Sequence, residues 1–240
     1  MPGVPVLLAA AAALLLATVA CSTQLGKDGK ATTTVDLKYL AKTEVDRIAD
    51  LNRQEAVNGL LLLADKLYRR NPREWKKAGH ASREAALERL GKRQEAAWPE
   101  FNGLREGPAA ALAFSESYGG DRVAALIYGL LTMVDAAFEH KDSFYLFDQL
   151  DERKLYNCAR NVEVAVWKLA HDRSAAGEAF LLANELDPAN RNLSFEREFG
   201  RVIGLLDFLA RVVADRNGRS FSRLTQSVAT MIFLPVGLLK

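Results

Sequence analysis

Charge is missing from the start of this chain: no Asp, Glu, Lys or Arg precedes Lys27. Cysteine is almost missing as well, with Cys21 and Cys158 the two residues of its kind in 240. They allow at most one internal disulfide, and if the sulfur of Cys21 is used otherwise, Cys158 stands alone. The three histidines, His80, His140 and His171, fall in different predicted elements. No His-x3-His, His-Glu-x2-His or Cys-x2-Cys spacing occurs, which excludes a recognisable zinc site. Gly-x-Ser-x-Gly nucleophile turns and phosphate loops are absent too, so neither an esterase-type nucleophile nor a nucleotide cofactor is expected. A net charge of +2 is too small to indicate nucleic acid as a partner. With 49% hydrophobic and 26% charged residues, the rest of the composition is that of an ordinary globular protein.

The charge-free start contains an uninterrupted apolar run, Val4 to Ala20, ending in Thr18-Val19-Ala20-Cys21. A short apolar stretch followed by small residues has the pattern of a secretory signal. A small residue directly before a cysteine resembles the bacterial lipobox, which implies cleavage between Ala20 and Cys21 and lipidation of the Cys21 thiol. Thr18 stands where Leu is usual, and the n-region carries no Lys or Arg. The alternative is an uncleaved signal anchor; its 17 residues lie at the low edge of a spanning length. Both readings put the remainder beyond a bacterial inner membrane. Ser22, where Asp would mark inner-membrane retention, favours the outer membrane. One acyl chain binds a bilayer only marginally, whereas two or more anchor stably.

Residues 1–20 are thus expected to form a signal peptide, 21–34 a lipidated cysteine with a flexible polar tether, and 35–240 a helical domain. The fold class is all-α, a single multi-helix domain of about seven to nine helices on the helical spacing of apolar residues. Leu37, Leu40, Val45, Ile48 and Leu51 begin that spacing, and Leu60 to Leu63 and Tyr68 continue it. Asn71-Pro72-Arg73-Glu74 reads as a helix start, and Ser82 caps Arg83 to Leu90 with Gly91 as terminator. Pro99 to Gly120 reads as a long loop with one broken helix near Ala109 to Ser115. Asp121 caps a strongly apolar helix, and Asp151 caps another reaching about His171. Ser174 is expected to cap the next, ending before Asp187-Pro188. Ser194 caps the longest, which Asn217-Gly218 closes. Phe221 to Leu234 is the final helix expected, stopped by Pro235. The apolar residues from Val228 to Leu239 are too few to span a membrane.

Two features carry what chemistry there is. Lys66-Leu-Tyr-Arg-Arg-Asn-Pro-Arg-Glu-Trp-Lys-Lys77 brings six cations, Lys66, Arg69, Arg70, Arg73, Lys76 and Lys77, around Tyr68 and Trp75. Such a patch suits lipid headgroups or anionic envelope polymers; the plainer account is a solvated helix junction with both aromatic rings packed inward. Glu139, Asp142, Asp148, Asp151 and Glu152 form an acidic run, and two facing carboxylates would suit a hydrolase acting on peptidoglycan. Glu139 and Asp142 flank His140, and Asp172 follows His171, but a cationic imidazole at a helix end is favoured by the dipole alone. Gly119 and Gly120, ahead of the Asp121 helix, suit an anion. Cys158 lies on an apolar stripe with Leu155, Val162, Val166 and Leu169, which predicts a buried thiol.

Two resemblances add to this. Ala176, Phe180, Ala183 and Pro188, with Trp167 upstream, are similar to part of a tetratricopeptide repeat, which implies a helical hairpin over 160–190. Lys66-Leu-Tyr-Arg-Arg-Asn-Pro-Arg-Glu-Trp, Lys154-Leu-Tyr-Asn, Asn192-Leu-Ser-Phe-Glu-Arg and Ile232-Phe-Leu-Pro-Val resemble a family of uncharacterised proteobacterial lipoproteins. That resemblance implies an envelope address and no catalytic residues. The sequence therefore predicts a membrane-tethered helical module that binds other envelope components, with the hydrolase as its rival.

Overall fold

The computed structural model describes residues 21–25, 31–35, 42–94, 98–145, 148–185, 189, 192–218 and 232–237, the first two segments as main chain only. The chain is all-α in its helical body. Seven α-helices occur among the described residues: α1 Glu44–Arg70, α2 Pro72–Lys77, α3 Arg83–Gly91, α4 Glu106–Leu112, α5 Arg122–Ala137, α6 Glu152–His171 and α7 Ser194–Arg216. A 3-10 turn, Pro99–Phe101, precedes α4. Residues to Arg47, together with Ser143–Asp148, form one compact unit; Ile48–Asp142 and the chain from Gln149 form the other.

In the smaller unit, β1 Cys21–Leu25 and β2 Ala31–Val35 pair antiparallel, with Cys21 opposite Val35 and Leu25 opposite Ala31. This hairpin falls in the stretch read as a polar tether and carries the β-branched run Thr32-Thr33-Thr34-Val35. Among the described residues the first helix starts at Glu44. Its start is a reciprocal cap: Asp46 Oδ2 accepts from the Thr43 N–H at 2.8 Å, and Thr43 Oγ1 accepts from the Asp46 N–H at 3.2 Å. Lys42 lies over the Tyr145 ring and donates to Ser143 Oγ.

The centre of the larger unit is α5, in which every residue from Val123 to Ala137 is buried. Asp121 caps it as expected, accepting from the Ala124 N–H at 2.9 Å. Glu74 adds a second carboxylate at that terminus by accepting from the Arg122 N–H at 2.8 Å. The anion that Gly119 and Gly120 suggested is thus supplied by the protein's own side chains. Gly129 lets α4 approach closely, because a Cβ there would lie 2.5 Å from the Ala110 nitrogen. A fully buried carboxylate, Asp135, sits near the end of α5 and is neutralised by two arginines. Arg93 binds it bidentately at 3.0 and 2.7 Å, and Arg53 reaches it at 3.2 Å and Asp142 at 2.6 Å. Burial without such partners would be prohibitive.

α1 and α7 run antiparallel. Asn52 donates to the Leu205 carbonyl at 2.8 Å, a Cβ on Gly59 would meet Val202 at 2.7 Å, and Lys66 donates to the Ser194 carbonyl at 2.7 Å. α6 packs along α7, tied by Arg160 to Asp207 at 2.6 Å. Cys158, inside α6, is free and fully buried; burial pushes its thiol far above the ordinary range, and the nearby Glu106 and Asp135 add to the shift.

Four sequence expectations fail here. The helix assigned to Ser174 does not form. Ser174 instead closes a tight turn: its N–H donates to the Glu178 carbonyl at 2.8 Å, and its carbonyl accepts from Gly177 at 2.7 Å. Gly177 has φ +81°, a conformation other residues rarely adopt. The segment then pairs as isolated bridges, Arg173 with Ala179 and Glu185 with Asn192. With no helix from Ser174 to Glu185, the repeat hairpin implied over 160–190 is not present. Ser194 is the first residue of α7 and not its cap: Leu193 stands at the N-cap without a side-chain hydrogen bond, and Asn192 Oδ1 accepts from the Ser194 N–H at 3.0 Å. Among the described residues the longest helix is α1, not α7. The final helix expected at Phe221 to Leu234 lies largely outside the described residues, and Ile232 to Leu234 are not helical.

Candidate functional site

An apolar cavity of about 280 Å³ opens between the end of α6, the start of α7 and the bridge segment 179–184. Val166 and Leu169 form its α6 wall, Phe195 and Phe199 its α7 wall, and Leu181 and Ala183 the third side. The helix spacing explains the first two. Positions 166 and 169, and 195 and 199, are one turn apart, so each pair presents one face. The third wall exists because the turn at Ser174–Gly177 sends the chain back extended rather than helical. Leu182 and Leu193, also lining the cavity, remain 52% and 42% exposed.

Polar groups at the cavity are few. Asn184 donates from Nδ2 to Glu196 at 2.8 Å, while its Oδ1 is buried and accepts no hydrogen bond. Arg173 also lines the cavity, but its guanidinium donates to the Asp172 and Ala170 carbonyls at 2.9 and 2.8 Å, closing the end of α6.

The basic stretch forms the support behind the third wall. Asn71, at the α1–α2 junction, grips the Leu182 main chain from both sides: Nδ2 donates to its carbonyl at 2.9 Å, and Oδ1 accepts from its N–H at 2.8 Å. Arg70 pairs with Glu185 at 3.6 Å. Lys66 lies 4.7 Å over the Phe195 ring, and burial lowers its pKa. The other cations disperse. Arg69 pairs with Asp65 at 2.8 Å, Lys77 with the buried Glu74 at 2.6 Å, Lys76 lies over Trp75, and Arg73 is exposed. Tyr68 points inward, donating to Asp121 at 2.8 Å, and Trp75 is half-buried. The stretch is a helix junction whose cations mostly hold structure, and exposed pairs of this kind contribute little individually.

The acidic run is likewise committed to separate tasks. Glu139 pairs with Lys154 at 2.8 Å, Asp142 with Arg53, and Asp151 caps α6 through the Arg153 N–H at 2.8 Å. Glu152 is buried and accepts from Asn217 at 3.1 Å, while Asp148 accepts from the Tyr145 N–H at 2.9 Å. His171 stacks on Trp167 and its Nδ1 meets the Trp167 carbonyl at 2.8 Å. His140 follows α5 with φ +57°. Burial, with Arg89 nearby, lowers the pKa of His80. Among the described residues no group of three His, Cys, Asp or Glu side chains is placed to hold a metal, and no helix is long and apolar enough to cross a membrane.

Sequence reasoning found Phe195, Phe199, Val166 and Leu169 as apolar faces but missed the cavity, since its third wall was expected to be helical. Gly177 was the available signal. Comparison with protein-family models, with curated proteins and with solved structures gives no match to this chain.

Proposed function

We propose that this chain is a lipid-anchored protein of the bacterial cell envelope whose helical domain is a non-catalytic binding module. The geometry supports binding through one observation: a preformed cavity with mainly apolar walls, bordered by the exposed Leu182 and Leu193. Hollows with mainly apolar walls and a few polar groups are the usual form of a binding site. The carboxylates that a hydrolase would need are each engaged by a main-chain amide, an asparagine side chain or an ion pair. Address and anchor rest on the Thr18-Val19-Ala20-Cys21 junction and on the resemblance to envelope lipoproteins. On this reading Cys21 carries the acyl chains, the domain faces the periplasm, and the outer membrane is favoured over the inner. Partners are the membrane itself and other envelope components, including anionic polymers reached through Arg73, Lys76 and their neighbours.

The anchor is tested by growing cells with radiolabelled palmitate. Label should enter the wild-type chain, and Cys21→Ala should lose both label and membrane fractionation. Unlabelled protein, with Cys21→Ala fractionating unchanged, would sink the anchor. Non-catalytic binding has its own test. Release of soluble fragments from purified peptidoglycan, abolished by Glu139→Gln or Glu152→Gln, would overturn it.

A further inference from the structure

We propose that the exposed face of α7 is an interface between two copies of this chain, in which their α7 helices pack antiparallel about a two-fold axis level with Leu206. This surface is separate from the cavity, and the proposal goes beyond the binding role given to that cavity.

Helical spacing lays out the face. Arg197, Gly204, Phe208, Arg211 and Asp215 follow one another at steps of seven, four, three and four residues, so they share one side of α7, and all five are exposed. The other sides of α7 meet α1 and α6, through the Asn52–Leu205 hydrogen bond and the Arg160–Asp207 pair. Phe208 keeps 57% of its surface in water. Leu51 of α1 lies one turn before Glu55, which pairs with Arg201 across the α1–α7 seam at 2.9 Å. It is 62% exposed and adds apolar surface on that flank.

Two features of the face have no explanation within one copy. Gly204 leaves a notch one turn before Phe208. A Cβ there would meet nothing within 4 Å, whereas the helical Gly59 and Gly129 are pressed upon by Val202 and Ala110. Glycine inside a helix weakens it relative to alanine, so an open position gains nothing from it. The charges are also misplaced. Arg197 is the fourth residue of α7 and Asp215 the last but one. A helix favours anions at its amino end and cations at its carboxyl end, so each stands at the wrong end. Among the described residues neither side chain forms an ion pair.

A second copy resolves both. In an antiparallel pair centred on Leu206, positions equidistant from the axis come together. Phe208 of each copy enters the notch at Gly204 of the other, and Arg197 of each meets Asp215 of the other. Arg211 comes opposite Arg201, a single cation held by two carboxylates, Glu55 at 2.9 Å and Glu198 at 2.8 Å, so that cluster is net negative. The stretch from Arg197 to Asp215 spans about 27 Å at about 1.5 Å per residue. Helices crossing at about 20° stay within side-chain reach over such a length. The buried ring supplies the affinity, and the exposed ion pairs set register and direction.

The test uses two differently tagged full-length copies, co-expressed and purified in mild detergent. The share of one tag recovered with the other is measured, and circular dichroism establishes that each variant folds. Wild type should recover its second copy. Phe208→Ser, and Gly204→Gln with its better helix former, should each cut recovery at least about tenfold, as expected at the centre of an interface. Arg197→Glu or Asp215→Arg alone should cut it about tenfold by setting like charges together. The two combined should restore it. Within one copy these positions are too far apart to compensate each other, so restoration reports the contact between copies. No recovery by wild type would overturn the interface. So would recovery untouched by folded Phe208→Ser, as two acyl anchors in one micelle would give, or a double charge variant no better than the single ones. None of these outcomes bears on palmitate labelling of Cys21 or on peptidoglycan release.

Discussion

Two asparagines in this protein do the same thing in different surroundings. Asn71 and Asn161 each grip the main chain of a leucine from both sides, Leu182 in one case and Leu234 in the other. Asn161 donates to the Leu234 carbonyl at 2.8 Å and accepts from its N–H at 2.6 Å, and Asn157 adds a bond to the Pro235 carbonyl at 3.0 Å. Asn161 has no exposed surface, and the segment that it holds is backed by the fully buried Val236 and by Phe233 against Gly107. Leu182, by contrast, is half in water and lies against a hollow. The hydrogen bonds are alike; the packing behind them is not. A side-chain clamp on an extended segment is as firm as the apolar contacts that exclude water from it. The Asn161 clamp closes the core, and the Asn71 clamp holds a wall that can open by itself.

This contrast can be broken or sharpened by experiment. The largest effect is expected from Asn161→Ala. It strands two main-chain groups at about 2 kcal/mol each, so urea unfolding should show a loss of about 4 kcal/mol. A loss no greater than that of Asn71→Ala would erase the distinction.

Next comes the footing of the Asn71 clamp, which depends on pH. Tyr68, one turn before Asn71, donates to Asp121, and burial raises the Asp121 pKa from 3.8 to about 6 in spite of its hydrogen bonds. A carboxyl group with a raised folded pKa gives stability that is full below the unfolded value and is lost as pH rises through the folded one. Asp121 therefore favours the folded state at about pH 3 over about pH 7, by about 3 kcal/mol for a shift of about two pK units. Asp121→Asn keeps a good helix cap and removes the titration. Unfolding free energies of wild type and variant, compared across that range, should differ by an amount that changes by about 3 kcal/mol. A constant difference would contradict the assignment.

The smallest loss is expected from Asn71→Ala, about 1 kcal/mol in global unfolding, because the groups that it frees can meet water. Its larger consequence should be local. Limited proteolysis should cut the 179–185 segment faster in the variant, with the Leu234 segment unchanged.

Most of the helical framework was legible in the sequence. Asp121, Ser82 and Asp151 cap helices through main-chain amides as their positions predict. Gly91 and Asn217-Gly218 end helices where expected. These signals are local, acting over three or four residues, and a single sequence displays them. The candidate site was not legible, because its third wall is set by distant contacts. Ala176, Phe180 and Ala183 fall at helical spacing, yet the segment is not helical. The turn at Gly177 and the grip of Asn71, 111 residues away, hold the segment extended instead. Tertiary contacts of this sort override local propensity. The buried Asp135 with Arg53 and Arg93 was hidden for the same reason, since its partners lie 82 and 42 residues distant.

Amide hydrogen exchange at Leu182 and Leu234, followed in one sample, tests the central claim most directly. The account predicts that Leu234 exchanges only near the free energy of global unfolding, and that Leu182 exchanges through a local opening several kcal/mol lower. Equal protection of the two amides would contradict it.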